Sequence, residues 1–290
     1  MITNSSPREF HPRMRKFKQV DVFTTIPYHG NPVAVVMDGD DLSTEEMQRF
    51  ARWTNLSETT FLLRPTVPEA DYRVRIFTTD VELPFAGHPT IGTCHAWLEA
   101  GGIPNSDGFV IQECEAGLIR LRNDDGLAFA APPLVKSGEV DDADLDDVCA
   151  VLGINRSAIV DATWADNGPG WVAVRLVDAE AVLALKPNMA ARSAYTIGVV
   201  GTHPTGSTAA IEVRALFKLG DSHGSEDPVT GSLNASIAQW LLGDGTLASP
   251  YVAAQGTAIG RSGRVHVDEA DDEVWVGGDS VTCIDGTVNL

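Results

Sequence analysis

The sequence predicts an α+β fold of two similar halves, each a curved sheet of short strands wrapped around one apolar helix. Two observations carry that prediction. The first is a pair of helix starts of like design, about half a chain apart. Leu83-Pro84-Phe85-Ala86-Gly87-His88-Pro89-Thr90-Ile91-Gly92 opens the helical run Thr90 to Ala100, and Glu226-Asp227-Pro228-Val229-Thr230-Gly231-Ser232 opens the run Leu233 to Leu242. The second is a series of strands with about two helices that occurs on both sides of Ala131-Pro132-Pro133, the expected linker. The more apolar helix of each half directly follows its turn, so it has to be buried, and the half's own sheet is the surface available to bury it.

Taken in order, Lys16 to Thr24 alternates polar and apolar residues as a half-buried strand does, and Val33 to Met37 resumes the pattern after a loop with Gly30-Asn31-Pro32. The two should pair as a ribbon. Leu42 to Thr54 reads as a helix with Ser43 as N-cap and Glu46 closing a capping box; Met47, Phe50, Ala51 and Trp53 form its apolar side. Thr59 to Leu63 is a strand by composition, which places Ser57 and Glu58 where it begins, and Tyr72 to Thr78 is another alternating strand. After the first organising turn, Gly101-Gly102 stops the helix, and Phe109 to Cys114, Leu118 to Asn123 and Leu127 to Ala130 form a meander.

Beyond the linker, the acidic run Glu139 to Asp147 reads as a solvated loop and helix start, since carboxylates suit that end of the helix dipole. A short helix through Leu152 follows, then a strand from Ile159, the turn Asn167-Gly168-Pro169-Gly170 and the strand Trp171 to Leu176. A helix near Ala179 to Leu185 and strands at Tyr195 to Val200 and Ile211 to Phe217 lead into the second organising turn and its helix. Strands near Tyr251 to Gln255, Arg264 to Val267, Glu273 to Gly277 and Ser280 to Ile284 close the chain.

At 290 residues, 43% of them hydrophobic, there is enough apolar material for two cores. The formal net charge of −19 argues against nucleic acid and against an anionic membrane surface, both of which require clustered Lys and Arg. Cys94, Cys114, Cys149 and Cys283 fall in no metal-like spacing and read as reduced, structural thiols of a cytoplasmic protein. The first sixteen residues carry Arg8, Arg13, Arg15 and Lys16 but no apolar segment, so residues 1–14 are expected to be a loose extension rather than a secretory signal.

Glu58, between Leu56 and Phe61 at a strand mouth, is a carboxylate whose pKa partial desolvation would raise toward neutrality, which suits a proton shuttle. The plainer account is an exposed strand-end glutamate. His88 suits hydrogen-bond donation or proton carriage, or else simple burial; Asp227 before Pro228 is equally an Asp-Pro turn; Ser232 is equally a helix cap. Gly87 permits a tight turn, and the unpaired N–H groups of such helix starts favour a carboxylate. The sequence has no HExxH, no paired Cys/His set, no Walker loop and no GxSxG elbow, so it offers acid–base groups and backbone donors without a cofactor apparatus.

The ordered set Val22-Phe23-Thr24, Gly30-Asn31-Pro32-Val33-Ala34-Val35, Leu56-Ser57-Glu58-Thr59-Thr60-Phe61, Phe85 to Gly92 and Glu226 to Ser232 resembles the phenazine biosynthesis PhzF-like family from about Lys16 to the C-terminus. The resemblance implies a diaminopimelate epimerase-like fold: two pseudo-symmetric halves, each a β-barrel-like sheet around a central helix, with the site in the cleft between them. It implies halves at 15–131 and 132–278, with the last strand, 279–290, returning to the first half. It further implies cofactor-free isomerisation of a small molecule, as the family's namesake performs on trans-2,3-dihydro-3-hydroxyanthranilate. Glu58 would be the acid/base; His88, Asp227 and Ser232 would hold the substrate; backbone N–H groups of Gly231 and Ser232 would take a carboxylate; Ser57, Gly87 and Asn31 would complete the pocket. A homodimer is expected on the resemblance alone. The alternatives are an amino-acid racemase or epimerase using two opposed thiols, and a small-molecule binder without turnover. The thiol chemistry lacks its residues, since Ala86-Gly87-His88-Pro89 stands where a Cys-Gly-Asn-Gly turn would be.

Overall fold

The computed structural model describes residues 12–124, 126–188, 196–217 and 225–290. Most of the expected N-terminal extension, residues 1–11, and the expected strand start at Tyr195 lie outside the described residues. Strand β1 (Met14–Val22) pairs antiparallel with β2 (Asn31–Val36) as the ribbon predicts. Helix α1 (Thr44–Thr54) leads to β3 (Glu58–Leu63), parallel to β2, and β4 (Tyr72–Phe77) returns antiparallel to β3. The two-residue strand β5 (Glu82–Leu83) lies on β4 and feeds helix α2 (Gly87–Glu99). Strand β6 (Phe109–Cys114) is parallel to β4, and β7 (Gly117–Arg122) and β8 (Leu127–Ala130) complete the meander.

The second half begins with β9 (Lys136–Gly138), helix α3 (Asp142–Leu152) and β10 (Asp161–Asp166). Strand β11 (Trp171–Arg175), helix α4 (Ala179–Ala184), β12 (Thr196–Thr202) and β13 (Ile211–Phe217) come next, then β14 (Ser225–Asp227) and helix α5 (Gly231–Gly243). Strands β15 (Tyr251–Gln255), β16 (Gly263–Ala270), β17 (Glu273–Gly278) and β18 (Ser280–Asn289) end the chain.

The pairings of this half repeat those of the first. Strand β10 is antiparallel to β11, β11 parallel to β12, β12 antiparallel to β13, β13 parallel to β15, and β15 to β17 form a meander. Helix α5 therefore occupies the place of α2, and β14 that of β5. The duplication that weak sequence identity only suggested is plain in the topology. The halves meet where β8 pairs antiparallel with β17, Trp275 opposite Ala130. Strand β18 crosses back to β1, with Met14 opposite Asn289, so Arg13 and Met14 belong to the sheet rather than to a loose extension.

Helices α2 and α5 are buried along most of their length, with Ile91 and Cys94 of α2 and Leu233, Ile237 and Leu241 of α5 at 0% exposure in one continuous core. Each such aliphatic side chain contributes about 1.5–3 kcal/mol by leaving water. Helix α1 packs Met47, Phe50 and Ala51 as expected, and its Ser43–Glu46 capping box forms. Trp53 departs from the expectation: it is 79% exposed and stacks on Phe50 from outside. The acidic run is solvated as read, Asp141 capping α3 and Arg156 reaching Asp142 and Asp146. Among the described residues no helix is long and apolar enough to cross a membrane.

Candidate active site

Both organising helices begin earlier than periodicity suggested, at Gly87 and Gly231. Neither has a side-chain cap on its first turn, and neither has an acidic residue there. The N–H groups and the positive dipole ends of two buried helices are thus left for other acceptors. The two starts face each other closely. A Cβ placed on Gly231 would come 3.2 Å from the Cα of Gly87 and 3.2 Å from Phe129 Cζ, so both glycines are required by close approach.

Four side chains from four elements converge beside these starts. Glu58 opens β3, His88 is the second residue of α2, Asn31 opens β2, and Asp227 ends β14. His88 Nε2 lies 3.3 Å from Glu58 Oε2, yet the two are out of line for a hydrogen bond, and both atoms are buried without a hydrogen-bonding partner. Asn31 donates from Nδ2 to Asp227 Oδ1 at 3.1 Å and to the Val229 carbonyl at 2.8 Å. These two contacts use both amide hydrogens, which makes the 3.4 Å approach of Nδ2 to His88 Nδ1 the weakest of the three. Asp227 is held in place through its neighbour: Glu226 forms a two-pronged pair with Arg214 on β13, with Nη2 to Oε2 at 2.7 Å. Arg75 and Glu82 make the equivalent pair in the first half, tying β5 to β4.

Burial raises the Glu58 pKa to about 8, and the nearby Asp227 charge adds to the effect. Burial lowers that of His88 to about 3, against the opposing pull of a hydrogen bond to the Pro32 carbonyl. At neutral pH the two are therefore a carboxylic acid and a neutral imidazole, not an ion pair. Asp227 is raised to about 6 by burial, while hydrogen bonds from Thr230 and Asn31 pull it down.

Ser232 lies on the other side of α5's start. Its hydroxyl accepts from Trp171 Nε1 at 3.2 Å, and Asn167 Nδ2 donates to its carbonyl at 2.9 Å. Among the described residues its own hydrogen has no acceptor, so Ser232 is not spent as a helix cap. Replacing Trp171 with Phe removes that constraint, and a rise in KM of about fivefold with little change in kcat is expected, the loss of one modest hydrogen bond. Ser57 sits on the exposed bend before β3 and, among the described residues, makes no hydrogen bond to this cluster. Trp171, Asn167 and Thr230 belong to the site's surroundings and were not anticipated; the repeat could have located Trp171, which opens β11 as Asn31 opens β2. Among the described residues no three His, Cys, Asp or Glu side chains are grouped to hold a metal ion.

Comparison with known proteins follows the same lines. The family model of PhzC-PhzF, phenazine biosynthesis-like protein, matches residues 20–286. Antisense-enhancing sequence 1 of Schizosaccharomyces pombe is 37% identical over 93% of this chain and 97% of its own. The trans-2,3-dihydro-3-hydroxyanthranilate isomerase of Pseudomonas fluorescens is 33% identical over 96% of this chain and 100% of its own. A PhzF-family phenazine biosynthesis protein from Enterococcus faecalis has a TM-score of 0.79 at 22% identity, covering 96% of this chain and 100% of that one, a likeness of fold. With its two matched halves, its paired helix starts and these relatives, the chain belongs to the PhzC-PhzF family of phenazine biosynthesis-like proteins and is an isomerase.

Proposed function

We propose that this chain moves a proton within a small, carboxylate-bearing cyclic substrate of the dihydro-3-hydroxyanthranilate type, without a cofactor, in the cleft where the two helix starts face each other. The observation that carries this reading is Glu58: a carboxyl group with a pKa near 8, one oxygen buried and unpartnered, beside a neutral imidazole. A carboxylate of ordinary pKa is a poor base toward carbon; one tuned toward the working pH both takes and returns a proton. Glu58 removes the proton and redelivers it. His88, Asp227 and Ser232 hold and orient the substrate, and the N–H groups of Gly87, Gly231 and Ser232 donate to its carboxylate. Asn31 fixes Asp227, and Ser57 lines the approach. Free cysteines, three of them buried, fit the cytoplasmic reading, and a homodimer is expected.

Two-thiol racemisation finds no footing here. Cys94 lies inside α2 and is buried, its pKa pushed up to about 12. The test is proton NMR of the protein with dihydro-3-hydroxyanthranilate in deuterated water. Isomerisation with deuterium entering at the product carbon is the expected result. Binding without exchange would move the substrate class elsewhere, and neither binding nor exchange would leave the reading without support.

A further inference from the structure

Resting on that reading of Glu58 and Asp227, we propose that Gln255 and Thr230 form a directed hydrogen-bond relay that fixes which of the two carboxyl groups carries the proton, making both positioning residues for the reaction. Neither touches Glu58, and neither is among the residues expected from the sequence.

The relay's direction follows from donor and acceptor bookkeeping. Gln255, at the end of β15, is 0% exposed. The backbone N–H of Thr230 can only donate, and it points at Gln255 Oε1 at 3.0 Å, which identifies that atom as the oxygen. Asn234 Nδ2 donates to the same oxygen at 2.8 Å. Gln255 Nε2 is then the donor side, giving one hydrogen to the Asp227 carbonyl at 3.2 Å and the other to Thr230 Oγ1 at 2.9 Å. A hydroxyl that accepts from Gln255 has one hydrogen left, and Thr230 Oγ1 spends it in a short bond to Asp227 Oδ2. Asp227 Oδ1 accepts from Asn31. Both oxygens of Asp227 thus face committed donors, an environment built for the anion.

The position of Thr230 strengthens the point. It is the N-cap residue of α5, where a threonine hydroxyl normally takes a first-turn N–H; here it makes no cap bond. The hydroxyl serves Asp227 instead, which also leaves the first-turn donors open. In the first half, Cys114 stands at the end of β6 where Gln255 ends β15, and Ala86 is the N-cap of α2 where Thr230 is that of α5, so the arrangement is particular to the Asp227 side.

The charged and titratable groups facing Asp227 are few. Glu58 of β3 and His88 of α2 approach from the first half; Glu226 precedes it on β14 and is committed to Arg214 of β13; the Arg261 guanidinium, beyond β15, is directed to the carbonyls of Tyr28 and Gly30. No cation bonds Asp227 directly among the described residues, so neutral donors alone hold its charge. An ionised Asp227 in turn keeps the proton on Glu58, because two neighbouring carboxylates resist joint ionisation.

Thr230→Val and Thr230→Ser separate this role from a structural one. Carboxyl titrations followed by carbon-13 NMR of the labelled protein need no turnover, so they stand whatever the substrate proves to be. Thr230→Val is expected to move Asp227 upward and Glu58 downward, each by about one pH unit. Thr230→Ser, which keeps the hydroxyl, stays with the wild type. Where turnover is measurable, the rise of kcat/KM with pH, which follows ionisation of Glu58, shifts to lower pH in the valine variant only. Gln255→Glu, which replaces the donor side by an acceptor, behaves as Thr230→Val does. Unchanged titrations in a folded Thr230→Val, or equal shifts in the Ser and Val variants, would overturn the relay while leaving the role of Glu58 as it was.

Discussion

Glu58→Gln is expected to lower kcat by about a thousandfold and to abolish solvent deuterium incorporation, while making the folded protein more stable. Both effects have one cause. The site holds a carboxyl group largely shielded from water, so its pKa rises from 4.5 to about 8 on folding. Between those values the native state binds more protons than the unfolded chain, and wild-type stability falls as pH rises. Below about pH 4.5 the penalty is absent, and above about pH 8 it is fully present. Glutamine has nearly the same shape and no charge to lose. Its advantage therefore grows through that window toward a plateau on the order of 5 kcal/mol. His88, lowered to about 3, makes both proteins less stable as pH falls below 6.5, and this contribution cancels in the difference. Thermal melts of the two proteins at pH 5 and pH 9 read the stability half. Equal differences at both values would mean that Glu58 is not held neutral, and exchange that survives in the variant would remove it from the reaction. In the wild type, kcat/KM should climb with pH toward about 8 as Glu58 gains its basic form.

Much of this was legible in the chain because it was written in local patterns. Alternation marked β1 and β4, composition marked β3, and a capping box marked α1. The two helix starts were visible because Gly, Pro and small polar residues punctuate an otherwise apolar run. The short strands β5, β9 and β14 were not visible, since two or three residues carry no period. Yet β14 places Asp227, and what fixes it is the distant pairing of Glu226 with Arg214. The final strand runs past Ile284 through Asp285-Gly286, residues of poor strand character, because β1 supplies its partner. Glu58, His88 and Asp227 could be named individually, but their meeting depends on a crossing of halves that no local pattern encodes. Gln255 was read only as the last residue of a strand; its role follows from donors and acceptors fixed in three dimensions.

Gly87→Ala should cost about a hundredfold in kcat/KM and about 1–3 kcal/mol of stability, a large effect for one methyl group. The added Cβ would lie 2.8 Å from Phe129 Cζ and 3.2 Å from the Cα of Gly231. Phe129 is wholly buried on β8, edge-to-face with Phe85, so its ring has little room to withdraw. The backbone of the facing helix start has none that leaves the site intact. Strain released there separates α2 from α5 and carries His88 away from Glu58, so binding and chemistry suffer together. Two companion variants divide the effect. Gly87→Ala with Phe129→Leu relieves the ring contact but not the approach to Gly231, so stability should recover in part and activity should not. Gly243→Ala adds a methyl at the far end of α5, where nothing lies within 4 Å, and should change stability by no more than about 0.5 kcal/mol. Full recovery of activity in the double variant would trace the loss to core packing alone, and the close meeting of the two helix starts would then carry no catalytic weight.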